Sequence, residues 1–241
     1  MPFTFSHPAI VLPLTYLPRK WYSLTGLVIG CITPDFEYFL RMKVQSDYSH
    51  TIGGVFWFDL PLGILLAFLF HIIVRNSLFD NLPLFFKKRF FKFKTFNWNI
   101  YFKKNFLIII ISIITGILSQ LFWDSFTHEN GYFVSLFPAL TKEVNSFGVH
   151  MPFYKVLQHA SSLTGVSVII FALWKIPVDK TVHGKINVNY WVALTLIVIT
   201  IVSVRILSGM DIHQYGNVLV TAIAAGIFAL ILVPFIMGRT F

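Results

Sequence analysis

Apolar and polar positions fall into separate blocks along this chain. Residues 52 to 75, 106 to 126, 156 to 175, 190 to 208 and 217 to 238 are long apolar runs, each near the roughly 20 residues that carry a helix across a hydrocarbon core. Two shorter runs, 8 to 18 and 22 to 33, precede them, divided by Pro18-Arg19-Lys20. At about 1.5 Å per residue each reaches only about half-way across. That predicts a helical hairpin or re-entrant pair which returns His7 and Asp35 to the same level. The expected fold is an all-α integral membrane helical bundle with five full spans and an N-terminal half-membrane helical hairpin. It is expected to be a single transmembrane domain over residues 1–241, with the chemistry-bearing motifs in 1–165 and two accessory spans in 190–238.

Composition supports the membrane class. Of 241 residues, 56% are hydrophobic and 12% charged, and the mean hydropathy is +0.73, beyond the range of soluble domains. The amino terminus, Met1-Pro2-Phe3-Thr4-Phe5-Ser6-His7-Pro8, meets its first bases only at Arg19 and Lys20 and shows no cleavage signal. The single cysteine, Cys31, excludes an internal disulfide and a thiolate zinc cluster, and reads as a packing residue.

Charge orients the chain. The connection 76 to 105 carries Lys87, Lys88, Arg89, Lys92, Lys94, Lys103 and Lys104 against Asp80, and the connection 176 to 189 carries Lys180 and Lys185 against Asp179. Both are expected on the cytoplasmic side. His50, Asp124, His128 and His159 then fall at helix mouths on the opposite side. The formal net charge of +9 is read as a topology signal and an attraction to anionic lipid heads at 76–105. The alternation of bases and phenylalanines from Phe85 to Lys94 is read as a membrane-surface stretch, with no nucleic acid as partner.

With so few ionisable groups, each one near lipid marks a candidate site. Pro34-Asp35-Phe36-Glu37 offers two carboxylates at alternate positions, or a helix cap by Asp35. Ser49-His50-Thr51 enters the first long span, and Asp59 lies inside it before Pro61. A carboxylate there requires a cation, a metal or a proton. Gln120, Asp124 and His128 recur every four residues, on one helix face that projects into the same space; a polar packing stripe gives the same spacing. Gln158-His159 opens the next span, where His159 is a ligand or an interface anchor.

The opening segment to Pro8, Pro34-Asp35-Phe36-Glu37-Tyr38, Ser49-His50-Thr51, Phe58-Asp59-Leu60-Pro61 and Trp123-Asp124-Ser125-Phe126-Thr127-His128 together resemble an uncharacterised bacterial multi-pass membrane family (a domain of unknown function). That family is similar to the membrane-bound metal-dependent hydrolases, whose pattern is an early His, Pro-Asp-x-Asp, Thr-His-Ser and His-x-x-x-Asp. The resemblance implies metal-binding roles for His7, Asp35, His50 and Asp124. Two positions depart from the pattern: Gln120 stands where the helix histidine is expected, and Glu37 replaces the second aspartate. His128 is the substitute ligand one turn beyond Asp124.

The expected function is a membrane-embedded metal-dependent hydrolase acting on a lipid or lipid-linked phosphoester. A divalent metal, zinc first, would be held by His7, Asp35, His50, Asp124 and His128. Glu37 or Asp59 would take the proton, and His159 or Gln120 would orient the substrate. The implied location is the bacterial cytoplasmic (inner) membrane, with the site on the non-cytoplasmic face. A small transporter or proton- or ion-conducting protein uses the same buried acids and histidines. A non-catalytic scaffold with a degenerate site accommodates Gln120 most readily.

Overall fold

The computed structural model describes residues 3–146 and 148–238. The helices are α1 (Leu24–Gly30), α2 (Phe36–Arg41), α3 (Ile52–Asn81), α4 (Leu84–Phe90), α5 (Trp98–Asp124), α6 (Tyr132–Leu136), α7 (Phe153–Trp174), α8 (Val188–Leu207) and α9 (Tyr215–Ile236). Five of them, α3, α5, α7, α8 and α9, are long and apolar enough to cross a membrane, as expected of a multi-pass membrane protein. Two strands, β1 (Glu143–Ser146) and β2 (Val149–Pro152), pair antiparallel, Val144 against Met151. The structure is mostly helical, as expected, and this small hairpin is its one departure from the all-α class among the described residues. Its segment is too polar and too short to have shown a helical period.

The N-terminal runs also differ from the expected pair of half-length helices. Residues 8 to 18 do not form one helix; the chain makes 3₁₀ turns over Thr4–Ile10, Leu12–Tyr16 and Arg19–Trp21. Pro8, Pro13 and Pro18 each remove a backbone donor, so no i to i−4 ladder can run through. Only α1, within the second run, is α-helical. The base-rich connection 76 to 105 is likewise largely helical, through the end of α3, α4, a 3₁₀ turn at Phe91–Thr95 and the start of α5.

The described chain gathers into two compact units. The first comprises residues up to 35, 48 to 64 and 105 to 175. Its organising contact is α1 against α5, where small residues let two backbones meet. A Cβ on Gly30 would lie 2.2 Å from the Ile113 carbonyl oxygen, and one on Gly116 would lie 2.4 Å from that of Leu27. Ser23 caps α1, accepting from the Gly26 amide at 3.2 Å, while its own amide donates to Ser112 Oγ at 2.8 Å. Cys31 packs beside Val11 and Leu27 with its Sγ 3.2 Å from Ser119 Oγ, and burial pushes its thiol up to about 12. The segment Thr4–Ile10 lies along α7: the Phe3 amide donates to Ser162 Oγ at 3.0 Å, and Gly165 leaves no room for a Cβ beside Ser6. In α3, Pro61 cannot donate and the Leu60 amide bonds the Val55 carbonyl five residues back, a π-turn that sets Asp59.

The second unit comprises residues 36 to 47, 65 to 104 and 176 onward. There α8 packs on α9, and the loop after α2 is tied to α9 through the Val44 amide to Asn217 Oδ1, 2.8 Å, and Thr221 Oγ1 to the Met42 carbonyl, 3.2 Å. His71 stacks on Trp98 with centroids 4.6 Å apart. Beside it, Arg75 donates to the carbonyls of Phe96 at 2.7 Å and Lys94 at 3.2 Å.

Gly30→Val is expected to lower the stability of the detergent-purified protein by at least ~1–3 kcal/mol, the ordinary cost of overpacking, because the clash falls on backbone. Gly226→Ala, with nothing within 4 Å of the added methyl, is expected to be neutral or to stabilise by up to about 1 kcal/mol. Thermal unfolding of both variants checks the pair. Equal melting temperatures would refute the close contact of α1 with α5.

Candidate metal centre

Three pieces of the first unit bring Asp35, His50 and Asp124 together, and a fourth sets His7 beside Asp124. His7 comes from the 3₁₀ turn Thr4–Ile10, Asp35 ends the turn Thr33–Asp35 after α1, His50 precedes α3, and Asp124 is the last residue of α5. One ligand atom each from Asp35, His50 and Asp124 lie within 4.8 Å of one another. His50 Nε2 is 3.8 Å from Asp35 Oδ1 and 3.6 Å from Asp124 Oδ2, and His7 Nε2 is 3.7 Å from Asp124 Oδ1. These separations exceed ordinary hydrogen bonds. They sit just above the edge of about 3.3 Å that a tetrahedron of zinc ligands at their usual bond lengths would have.

Burial makes the arrangement demanding. His7 is 2% exposed, Asp35 1% and Asp124 6%. Both ring nitrogens of His7, Asp35 Oδ1, Asp124 Oδ1 and His128 Nε2 are buried with no hydrogen-bond partner among the described residues. Orphaned lone pairs of this kind normally cost 1–3 kcal/mol or more each. A cation at the centre would take up those nearest to it, and the donor set, carboxylate oxygen with imidazole nitrogen, fits zinc and its neighbours among divalent metals.

The remaining polar atoms are held. Thr4 Oγ1 donates to Asp35 Oδ2. Ser49 Oγ lies 3.0 Å from His50 Nδ1, leaving Nε2 towards the carboxylates. This is the outer support that ligating imidazoles require. His128 turns Nδ1 towards the Asp124 backbone carbonyl at 3.1 Å and towards its carboxylate Oδ1 at 3.5 Å. Through Nδ1 it is a prop for Asp124. Thr4, Ser49 and Trp123, whose ring meets His7 edge-on at 6.5 Å, had no assigned role in the sequence. Their signal was adjacency in the chain to His7, His50 and Asp124.

Protonation follows from surroundings. Burial lowers the imidazoles of His7 and His128, so both are neutral and keep a lone pair. Burial also works to lower His50, but the nearby carboxylates of Asp124 and Asp35 outweigh it and raise its pKa above the usual imidazole value. Asp35 is raised to about 7, by burial and then by the negative charge of Asp124.

The other sequence candidates divide. Asp59 is fully buried and its charge bears on His50. Gln120, one turn before Asp124 on α5, is 0% exposed with both amide atoms unpartnered among the described residues. Glu37 lies in the second unit, where its carboxylate pairs with Arg41 at 2.8 Å and accepts from the Asp47 amide at 2.9 Å. His159 is exposed on α7, and no ion pair among the described residues joins it to the cluster.

The chain belongs to the family described as Domain of unknown function (DUF4184), whose pattern matches residues 1–235. No curated protein and no solved structure matches the chain.

Gly165→Val is expected to lift Thr4–Ile10 off α7, because the added carbon meets Ser6 at 2.8 Å. The variant should retain about tenfold less zinc than the wild type at limiting metal, the equivalent of the ~1–3 kcal/mol typical of overpacking. Elemental analysis after gel filtration measures it. Unchanged retention would detach His7 from the centre.

Proposed function

We propose that this member of the DUF4184 family is a membrane-embedded metal-dependent hydrolase of a lipid or lipid-linked phosphoester. One observation carries the reading: two buried carboxylates, Asp35 and Asp124, and the His50 imidazole lie within 4.8 Å of one another. Like charges at that distance in a low dielectric require a counter-charge or a proton. The resemblance of the Pro-Asp, Ser-His-Thr and helix-aspartate segments to the metal-dependent hydrolases points the same way.

In this reading Asp35, His50, Asp124 and His7 hold a divalent cation, zinc first. The chemistry that such an ion supplies when bound is Lewis acidity, polarising a phosphoryl or ester oxygen and making water a usable nucleophile near neutrality. Thr4 donates to Asp35 Oδ2, which leaves Oδ1 for the cation, and Ser49 fixes the His50 ring. His128 holds Asp124 in place. Asp59 receives the proton released by the attacking water, and the Gln120 amide, uncommitted elsewhere, donates to the substrate oxygen. Glu37, tied to Arg41, takes no part.

In this reading the centre opens on the non-cytoplasmic face of a bacterial inner membrane, a side supported by the excess of bases in the connections 76 to 105 and 176 to 189. The basic surface of α4 and Phe91–Thr95 rests on anionic lipid heads. Arg89 lies 3.9 Å from the Phe85 ring centre and Lys94 lies 5.2 Å from that of Phe91, so aromatic and cationic groups share the layer that such a surface occupies.

Detergent-purified protein is expected to carry stoichiometric metal and to release phosphate or a head group from phospholipid vesicles. Asp124→Asn keeps the shape and removes the charge, and its metal affinity should fall by at least the ~10–100-fold of outer-ligand losses. Gln120→His, which supplies an imidazole on the same helix face, should raise zinc retention. Protein without metal, unchanged in thermal stability by either substitution or by added zinc, would leave a polar packing stripe and remove the enzyme.

A further inference from the structure

Beside the metal centre, α5 and α7 enclose an apolar groove of about 350 Å³, lined by Phe122, Trp123, Phe126, Leu157, Ala160 and Thr164, with Thr127 and Ser161 at its edge. That volume is at the small end of ligand sites, which run from ~300 to 1,000 Å³. Three hydroxyl residues line it, and each turns its oxygen back onto its own helix. Thr127 donates to the Trp123 carbonyl at 3.3 Å, Ser161 to Gln158 at 3.0 Å and Thr164 to Ala160 at 2.8 Å. The groove therefore presents carbon surface and asks for no polar partner.

Its position is specific. Trp123 forms one wall and meets the His7 ring edge-on. Thr127 forms another part and is the immediate neighbour of His128, with Oγ1 3.5 Å from its Nδ1. Asp124 stands in the chain between those two lining residues. Phe122, Ala160 and Thr164 are exposed, on helices long and apolar enough to cross a membrane. The groove thus opens on the exposed flank of two apolar helices, and Trp123 stands between it and His7. Phe122 and Phe126, edge-to-face at 5.4 Å, supply a flat aromatic flank, and Ala160 is the small residue that leaves the floor open.

We infer that this groove seats one acyl chain of the substrate, so that the hydrolase acts on a membrane lipid whose head-group ester reaches the centre while one chain lies between α5 and α7. This rests on the proposed hydrolase reading. A water-soluble phosphoester would gain nothing from a dry, hydrocarbon-facing wall, whereas an acyl chain fills it and keeps its other end at the level of Asp124.

The test uses full-length protein in phosphatidylcholine nanodiscs doped with a phosphatidylglycerol analogue that carries a diazirine half-way along one acyl chain. Photolabelled peptides should concentrate at 122 to 127 and 157 to 164, above the level on α8, which is apolar and exposed and contributes nothing to this groove. Ala160→Leu fills the floor at an exposed position and should cut the labelling about tenfold, the equivalent of two displaced methylene groups, with zinc content unchanged. Thr164→Leu should act in the same direction, and monodisperse elution shows that each variant is folded. Labelling no greater than on α8, or unaffected by both substitutions, overturns the groove while stoichiometric zinc leaves the metal centre standing. Labelling that is lost in both variants from a protein without zinc overturns the substrate assignment, and the groove then holds a structural lipid.

Discussion

Two carboxylates in a dry place govern this molecule. Asp35 and Asp124 come from opposite ends of the first unit's chain order, are nearly inaccessible to water, and face each other across His50. Their repulsion rises as the dielectric falls, so the arrangement is tolerable only with protons or a cation among the oxygens. The nearby architecture enforces the proximity. Gly30 and Gly116 let α1 and α5 meet backbone to backbone, and Asp35 leaves α1 close to where Asp124 ends α5. The N-terminal strap laid against α7 then brings His7 to within 3.7 Å of Asp124. Destabilised, preorganised groups of this type are characteristic of sites built for chemistry.

The second unit holds the same kinds of side chain without the same tension. Glu37, Arg41 and Asp47 close a small ion-pair network, with both carboxylates 2.8 Å from the Arg41 guanidinium. His71 is stacked on Trp98 and bonded by Arg75, whose other donors reach backbone carbonyls. Asp80 is paired with Lys94. There Glu37 and Asp47 meet Arg41 and Asp80 meets Lys94, so these charges are offset by bases within the protein. In the first unit the acids meet imidazoles at distances too long for hydrogen bonds, with Asp35 Oδ1 and Asp124 Oδ1 left unsatisfied among the described residues.

A dry groove beside such a centre fits a substrate that is itself part of the membrane. Catalysis gains when remote, non-reacting parts of a substrate are bound and hold the reacting bond in place. An acyl chain between α5 and α7 would serve that purpose without any lid, because lateral entry from the leaflet already excludes bulk water. Hydroxyls turned back onto their own carbonyls keep the groove apolar, although three of its eight lining residues carry an oxygen.

The pattern of apolar runs was enough to establish the membrane class and the five long helices, since a span of about 20 hydrocarbon-compatible residues has few other uses. It also marked His7, Asp35, Glu37, His50, Asp59, Asp124, His128 and His159, because isolated ionisable groups in so apolar a chain are conspicuous, and the resemblance to the metal-dependent hydrolases implied metal binding for His7, Asp35, His50 and Asp124 among them. What it could not convey was contact. The spacing of Gln120, Asp124 and His128 puts the three on one helix face, with His128 as the substitute ligand, but α5 ends at Asp124 and the following turn swings the His128 Nδ1 onto that residue's own backbone. Glu37, two residues from Asp35, was as plausible a base as any, until its helix carried it to Arg41. The prolines at 8, 13 and 18 were visible, yet the 3₁₀ path they impose depends on what α7 offers for the strap to lie against. Ligand identity is a local property of residue types and can be read from a string. Which lone pairs end up facing one another, and which find a partner first, is decided only when distant segments pack.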